Sequence, residues 1–194
     1  MVNIALFGTS ADPPTSAHQT ILNWLSCHYD HVAVWASDNP FKSHQTPLEH
    51  RSTMLRLLIE EIAQPNISLY QGLSSPRTLE TVEQARQHWG SQVDLTLVIG
   101  SDLVSQMPRW YQIDQLLKQV QLLVVPRSGY VIDEAGVEAL RNLGADVAIA
   151  DLKAPAVSST AYRENGDTEV LTPPVEDYIH KEHLYACQDA APSR

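Results

Sequence analysis

Val2-Asn3-Ile4-Ala5-Leu6-Phe7-Gly8-Thr9-Ser10-Ala11-Asp12-Pro13-Pro14-Thr15-Ser16-Ala17-His18 is the stretch that decides the fold of this chain. Val2 to Phe7 reads as an apolar strand, the glycine, prolines and small polar residues after it as a loop, and a helix begins near Ala17. A strand-to-helix turn of this kind presents free backbone N–H groups and the positive end of a helix dipole, both of which stabilise phosphate. No second glycine follows Gly8 before the helix, and no Gly-Lys-Ser/Thr closes the loop, so the dinucleotide fingerprint and the P-loop are excluded. Ile21, Leu22 and Leu25 lie three, four and seven residues beyond His18, which sets the imidazole at the loop end of the helix face that packs on the sheet.

Outward from this unit, strand and helix signals alternate. Strands are expected at His31–Ala36, Ile67–Tyr70, Val93–Ile99, Val120–Val125 and Asp146–Ala150. Helices are expected over 48–63, after a Ser75 cap with Pro76 in its first turn, around Tyr111–Lys118, and over Asp133–Asn142. The most apolar strands, Val93–Ile99 and Val120–Val125, are expected to be central. Such alternation predicts an α/β protein with a doubly wound parallel sheet, and a ligand crevice at the carboxyl ends of its strands. One domain over residues 1–186 is expected, followed by a disordered polar tail at 187–194.

The 194 residues carry 13 basic and 23 acidic side chains, a net charge of −10. That balance argues against nucleic acid and anionic membranes as partners, so a phosphate ligand must be met by local donors. Cys27 and Cys187 have no metal or disulfide spacing, and no apolar run approaches the ~20 residues of a membrane span; a cytoplasmic protein is expected.

The local donors gather at strand ends. Asp38-Asn39-Pro40-Phe41-Lys42, Gly100-Ser101-Asp102, Pro126-Arg127-Ser128-Gly129 and Val157-Ser158-Ser159-Thr160-Ala161-Tyr162-Arg163 each follow an expected strand. Ser158, Ser159 and Thr160 begin a helix whose hydroxyls and N–H groups suit an anion, and Arg163 shares a face with Thr160. Arg51 precedes Met54, Leu55, Leu58 and Ile62 at three, four, seven and eleven residues, at the pocket end of a buried face. Taken singly, these segments read equally well as turns, caps and surface charges.

In this order the segments resemble the bacterial nicotinate mononucleotide adenylyltransferases, members of the HxGH-type nucleotidyltransferase superfamily. The loop from Gly8 to His18 is similar to GGTFDPxHxGH, and Asn39–Lys42 to a shortened NPPHK. Ile99–Asp102 is similar to IGxD, and Val157–Arg163 to ISSTxxR. Met107–Trp110, Val125–Tyr130 and Val175–Ile179 follow the family pattern too, so the likeness runs from Val2 to about Tyr185. It implies a Rossmann-like nucleotidyltransferase fold. The implied reaction takes ATP, with Mg²⁺, and nicotinate mononucleotide to nicotinate adenine dinucleotide and pyrophosphate. It also implies roles: His18, Thr15, Lys42 and Arg163 in catalysis, and Gly8, Thr9, Ser10, Ser158, Ser159 and Thr160 around the ATP phosphates. Gly100 and Asp102 are placed at the ribose, and Asn39, Lys42, Arg51, Thr78, Trp110 and Arg127 at the mononucleotide; no protein-bound metal cluster is implied. Four positions depart from the pattern. Thr15 replaces the first His, Thr9 and Ala17 each replace a Gly, and Ala11 replaces an aromatic. Thr15 donates a hydrogen bond but carries no positive charge. Transfer to another phosphorylated acceptor, or nucleotide binding without turnover, are the alternatives that these departures leave open.

Overall fold

A computed structural model describes residues 1–39, 42 and 45–185. Its strands are β1 (Val2–Thr9), β2 (His31–Ala36), β3 (Ile67–Leu69), β4 (Val93–Gly100), β5 (Gln121–Val125) and β6 (Val147–Ile149). They form one sheet in the order β3-β2-β1-β4-β5-β6, with every pairing parallel. The chain runs outward from β1 to β3, returns to lay β4 beside β1, and runs outward again. The order therefore reverses between β1 and β4, which puts a crevice beyond the carboxyl ends of those two strands.

Side-chain alternation divides the core between the two faces of the sheet. Ile4 and Leu6 of β1, with Leu95, Leu97 and Ile99 of β4, pack under α3 (Thr78–Trp89), α4 (Ile113–Leu117) and α5 (Glu134–Asn142). On the opposite face, Ala5 and Phe7 meet α1 (Ser16–His28), α2 (Leu48–Ile62), α6 (Ser159–Asn165) and α7 (Pro173–Lys181). Leu22 and Leu25 anchor α1 with no solvent exposure; burial at about 1.5–3 kcal/mol per side chain holds the helix whose first turn carries His18.

Three expectations shift. α3 starts at Thr78 rather than at a Ser75 cap, because Ser75 Oγ instead accepts from the Arg77 N–H and donates to Glu80. β4 is central as expected, but β5 lies next to the edge strand and β1 takes the other central place. α7 is a helix that the strand-and-helix reading did not include; Pro173 and Pro174 occupy its first turn, and Val175 and Ile179 bury one face. Pro40, Phe41 and the 187–194 tail lie outside the described residues.

Candidate active site

β1 ends against β2 at a position that only glycine fits. Gly8 pairs in register with Trp35, and a Cβ on Gly8 would lie 2.6 Å from atoms of the indole ring. Beyond it the chain turns through Ala11, at φ 48°, and a cis Asp12–Pro13 bond, reaching Thr15, the N-cap of α1.

Distant parts of the chain fix this loop by its oxygen atoms. Arg51, 1% exposed, donates to the carbonyls of Ser10 (2.9 Å), Ser37 (2.7 Å) and Thr46 (2.7 Å), with Asp38 4.0 Å away. Arg163 donates to the Asp12 carbonyl at 2.5 Å, and Ser159 Oγ to the Pro13 carbonyl at 2.7 Å. The Asp12 carboxylate accepts from the Tyr185 hydroxyl at 2.5 Å and from the Thr46 N–H at 3.3 Å. Burial, with Asp12 beside it, pushes the Tyr185 phenol pKa well above its ordinary value, so the phenol remains the donor. Lys42 Nζ reaches Ser10 Oγ at 3.0 Å. Three cations, Arg51, Lys42 and Arg163, thus bear on the loop through separate segments.

His18 lies at the base of the loop. The Thr15 backbone N–H donates to Nδ1 at 2.9 Å, and Thr15 Oγ1 lies 3.2 Å from the same nitrogen. A ring nitrogen that accepts carries no proton, so the neutral imidazole has its proton on Nε2, which is 3.0 Å from Thr9 Oγ1. Burial first, and the positive Arg127 second, bring the His18 pKa down to about 4. At neutral pH the ring is an uncharged donor.

Across the crevice, at the end of β4, Asp102 accepts from Arg127 at 3.0 Å, and the Arg127 N–H donates to Ser101 Oγ at 3.0 Å. A Cβ on Gly100 would fall 2.5 Å from Asp102 Oδ1, so the glycine lets the carboxylate fold over the strand end. On the α3–α4 side, Trp110 packs on the core, and Arg77 stands over the Tyr111 ring at 4.4 Å. That contact joins the Trp110 segment to the head of α3, which Thr78 begins. The Asn39 carbonyl accepts from the Lys42 N–H at 3.1 Å.

The expected residues therefore fall into an inner group around the first loop and two flanking clusters, Asp102–Arg127 and Thr78–Trp110. Like Ser159 and Arg163, two more of them bond the chain's own backbone. The Arg51 guanidinium is engaged with backbone carbonyls behind the loop, and Ser158 caps its own helix by accepting from the Ala161 N–H at 3.1 Å. Asp12 and Tyr185 were not expected to matter. Asp12 sits inside the loop after β1, but its partner lies 173 residues away, and no local pattern joins them. Among the described residues, no cluster of three or more His, Cys, Asp or Glu could hold a metal, and no helix is long and apolar enough to cross a membrane.

Comparison with known proteins decides the family. The cytidylyltransferase-like family model matches residues 6–165. A probable nicotinate-nucleotide adenylyltransferase of Synechocystis sp. is 41% identical over 198 residues, covering 95% of this chain and 99% of that protein. The chain belongs to the cytidylyltransferase-like family, and within it to the nicotinate-nucleotide adenylyltransferases. The family's member from Bacillus subtilis is 27% identical, with 95% of this chain and 99% of that protein covered. Among solved structures, the Plasmodium falciparum nicotinic acid mononucleotide adenylyltransferase complexed with NaAD superposes with a TM-score of 0.80. It is 21% identical, with 96% and 98% of the two chains covered, a likeness that carries the Rossmann-like nucleotidyltransferase fold.

Proposed function

We propose that the protein transfers the adenylyl group of ATP to nicotinate mononucleotide, giving nicotinate adenine dinucleotide and pyrophosphate, and that it does so in the cytoplasm. Family membership supports the reaction class. The observation that carries the site is the convergence of neutral His18 with Lys42 and Arg163 on one loop at the switch point of the sheet.

The acceptor's 5′-phosphate oxygen attacks the α-phosphorus of ATP; a new P–O bond forms as the bond to the β-phosphate oxygen breaks, and pyrophosphate leaves with that oxygen. No protein nucleophile is required, so positioning and charge neutralisation do the work. His18 bears on the α-phosphate side through its Nε2–H, which the Thr9 hydroxyl accepts. Lys42 and Arg163, with Thr160, face the outer phosphates from two directions, while Thr15 and Ser10 line the loop between them. Mg²⁺ enters on the polyphosphate as part of the nucleotide substrate, a mode that suits an ion that keeps much of its water and needs few protein carboxylates.

Asp102 accepts from the ribose hydroxyls, exchanging Arg127 for them, and the freed guanidinium turns to phosphate. Trp110 stacks on the pyridine ring, and Thr78, at the head of α3, lies beside it. Asn39 borders the acceptor, and Arg51 serves it from behind by fixing the Ser10 and Ser37 carbonyls. Pyrophosphate release measured with Mg²⁺–ATP and either nicotinate or nicotinamide mononucleotide tests the reading. Turnover is expected with the acid as the better acceptor; ATP binding with neither acceptor turned over would overturn it.

A further inference from the structure

Thr9 stands at the last position of β1, where the family pattern has glycine, and its hydroxyl lies 3.0 Å from His18 Nε2. Nδ1 is already taken by the Thr15 N–H, so the contact has one polarity: Nε2–H donates and Thr9 Oγ1 accepts. A hydroxyl that accepts one proton still has its own to give. Among the described residues His18 is the hydrogen-bond partner of this hydroxyl, which is half-buried at the mouth of the crevice.

We propose that Thr9 is a positioning residue that locks His18 as the Nε2–H tautomer and passes its donation onward, the Thr9 O–H pointing to a phosphate oxygen of the bound nucleotide. The inference rests on the adenylyl-transfer reading. It explains two departures from the family pattern together. At Thr15 an imidazole donor is missing, and at Thr9 a hydroxyl donor has been added on the other side of His18. The polarised pair Nε2–H···Oγ–H donates more strongly than an isolated hydroxyl, because each bond in a chain reinforces the next. Lowering of the His18 pKa to about 4 agrees with a ring kept neutral and donating.

The test compares Thr9→Val, which keeps the shape and removes the hydroxyl, with Thr9→Ser, which keeps the hydroxyl. Two readouts are taken: steady-state kinetics with Mg²⁺–ATP and nicotinate mononucleotide, and ¹⁵N-histidine spectra of the free protein, with His18 assigned by its absence in His18→Gln. Thr9→Val is expected to lower kcat about 10–100-fold, less than the about 10²–10³-fold that loss of a direct oxyanion donor costs, with KM values little changed. It should also lose the hydrogen-bonded Nε2–H signal. Thr9→Ser should restore both. A Thr9→Val enzyme with undiminished kcat, or with an unchanged His18 spectrum, overturns the proposal. If the adenylyl-transfer reading itself fails, wild-type protein releases no pyrophosphate, and the His18 spectra still decide whether Thr9 holds the ring.

Discussion

Replacing Arg51 by methionine removes a guanidinium that is 1% exposed and leaves the carbonyls of Ser10, Ser37 and Thr46 without their donor. Hydrogen bonds from a charged donor contribute about 1.5–3 kcal/mol each, so a simple sum for three is about 5–9 kcal/mol. The true cost is smaller, because loops that lose a common anchor relax toward water together; loss of one partner from a buried charged network costs about 3–5 kcal/mol. For a domain of this size each kcal/mol is worth about 2–4 °C, so Arg51→Met should lower Tm by about 6–20 °C. Urea denaturation followed by circular dichroism should show the midpoint moving down with an unchanged slope. Arg51→Lys should fall between, since a single ammonium cannot span three carbonyls on separate segments. A Tm within about 2 °C of wild type in Arg51→Met would refute the argument that this side chain fastens three loops, because even one such bond exceeds that shift.

His18→Ala should lower kcat at least ~100-fold with an unchanged circular dichroism spectrum; near-normal turnover would remove His18 from the chemistry. Ala17→Gly should leave activity equal or better, since it restores the family pattern in the first turn of α1, and a large loss would show a pocket adapted to the methyl group. Tyr185→Phe leaves one oxygen of the buried Asp12 carboxylate without its donor, at a cost of about 1–3 kcal/mol or about 2–12 °C in Tm; thermal unfolding of the variant measures it, and an unshifted Tm contradicts it. Burial, and then the neighbouring His88, hold the His31 pKa below its ordinary 6.5. The unfolded chain then binds protons first, and stability should fall as pH drops below about 6.5 and toward the depressed folded value. His18, lowered to about 4, acts in the same direction. Urea midpoints at about pH 7.5 and about pH 5.5 should show the loss, reduced in His31→Gln; an equal loss in that variant would clear His31.

Sequence patterns carried the sheet because β1, β2, β4 and β5 are short apolar runs bounded by turn residues, and both faces of each are buried. Edges were harder. Ser75 had the chemistry of a cap, yet its hydroxyl found Glu80 and the Arg77 N–H, and α3 began later at Thr78 without a side-chain cap. Within the site, helical spacing placed His18 and Arg51 at the right end of their helices. What each side chain meets is a separate question. Arg51 bonds Ser10, 41 residues away, and Ser37, 14 away, and periodicity holds no information about partners so distant. Thr9 and Thr15 were visible as departures from a pattern, but the bonds that join both to His18 needed coordinates.

The bond between Asp12 and Tyr185 also has a consequence for how the protein is made. The two residues are 173 positions apart. At about 5–20 residues per second, a ribosome takes roughly 9–35 s between them. Throughout that interval β1 and α1 exist in the nascent chain, while the aspartate that will bind the tyrosine has only water for a partner at that oxygen. Arg163 and Ser159 arrive late as well, 151 and 146 residues after the carbonyls they hold. A growing chain can therefore lay down β1 and α1 well before the loop between them takes its final shape.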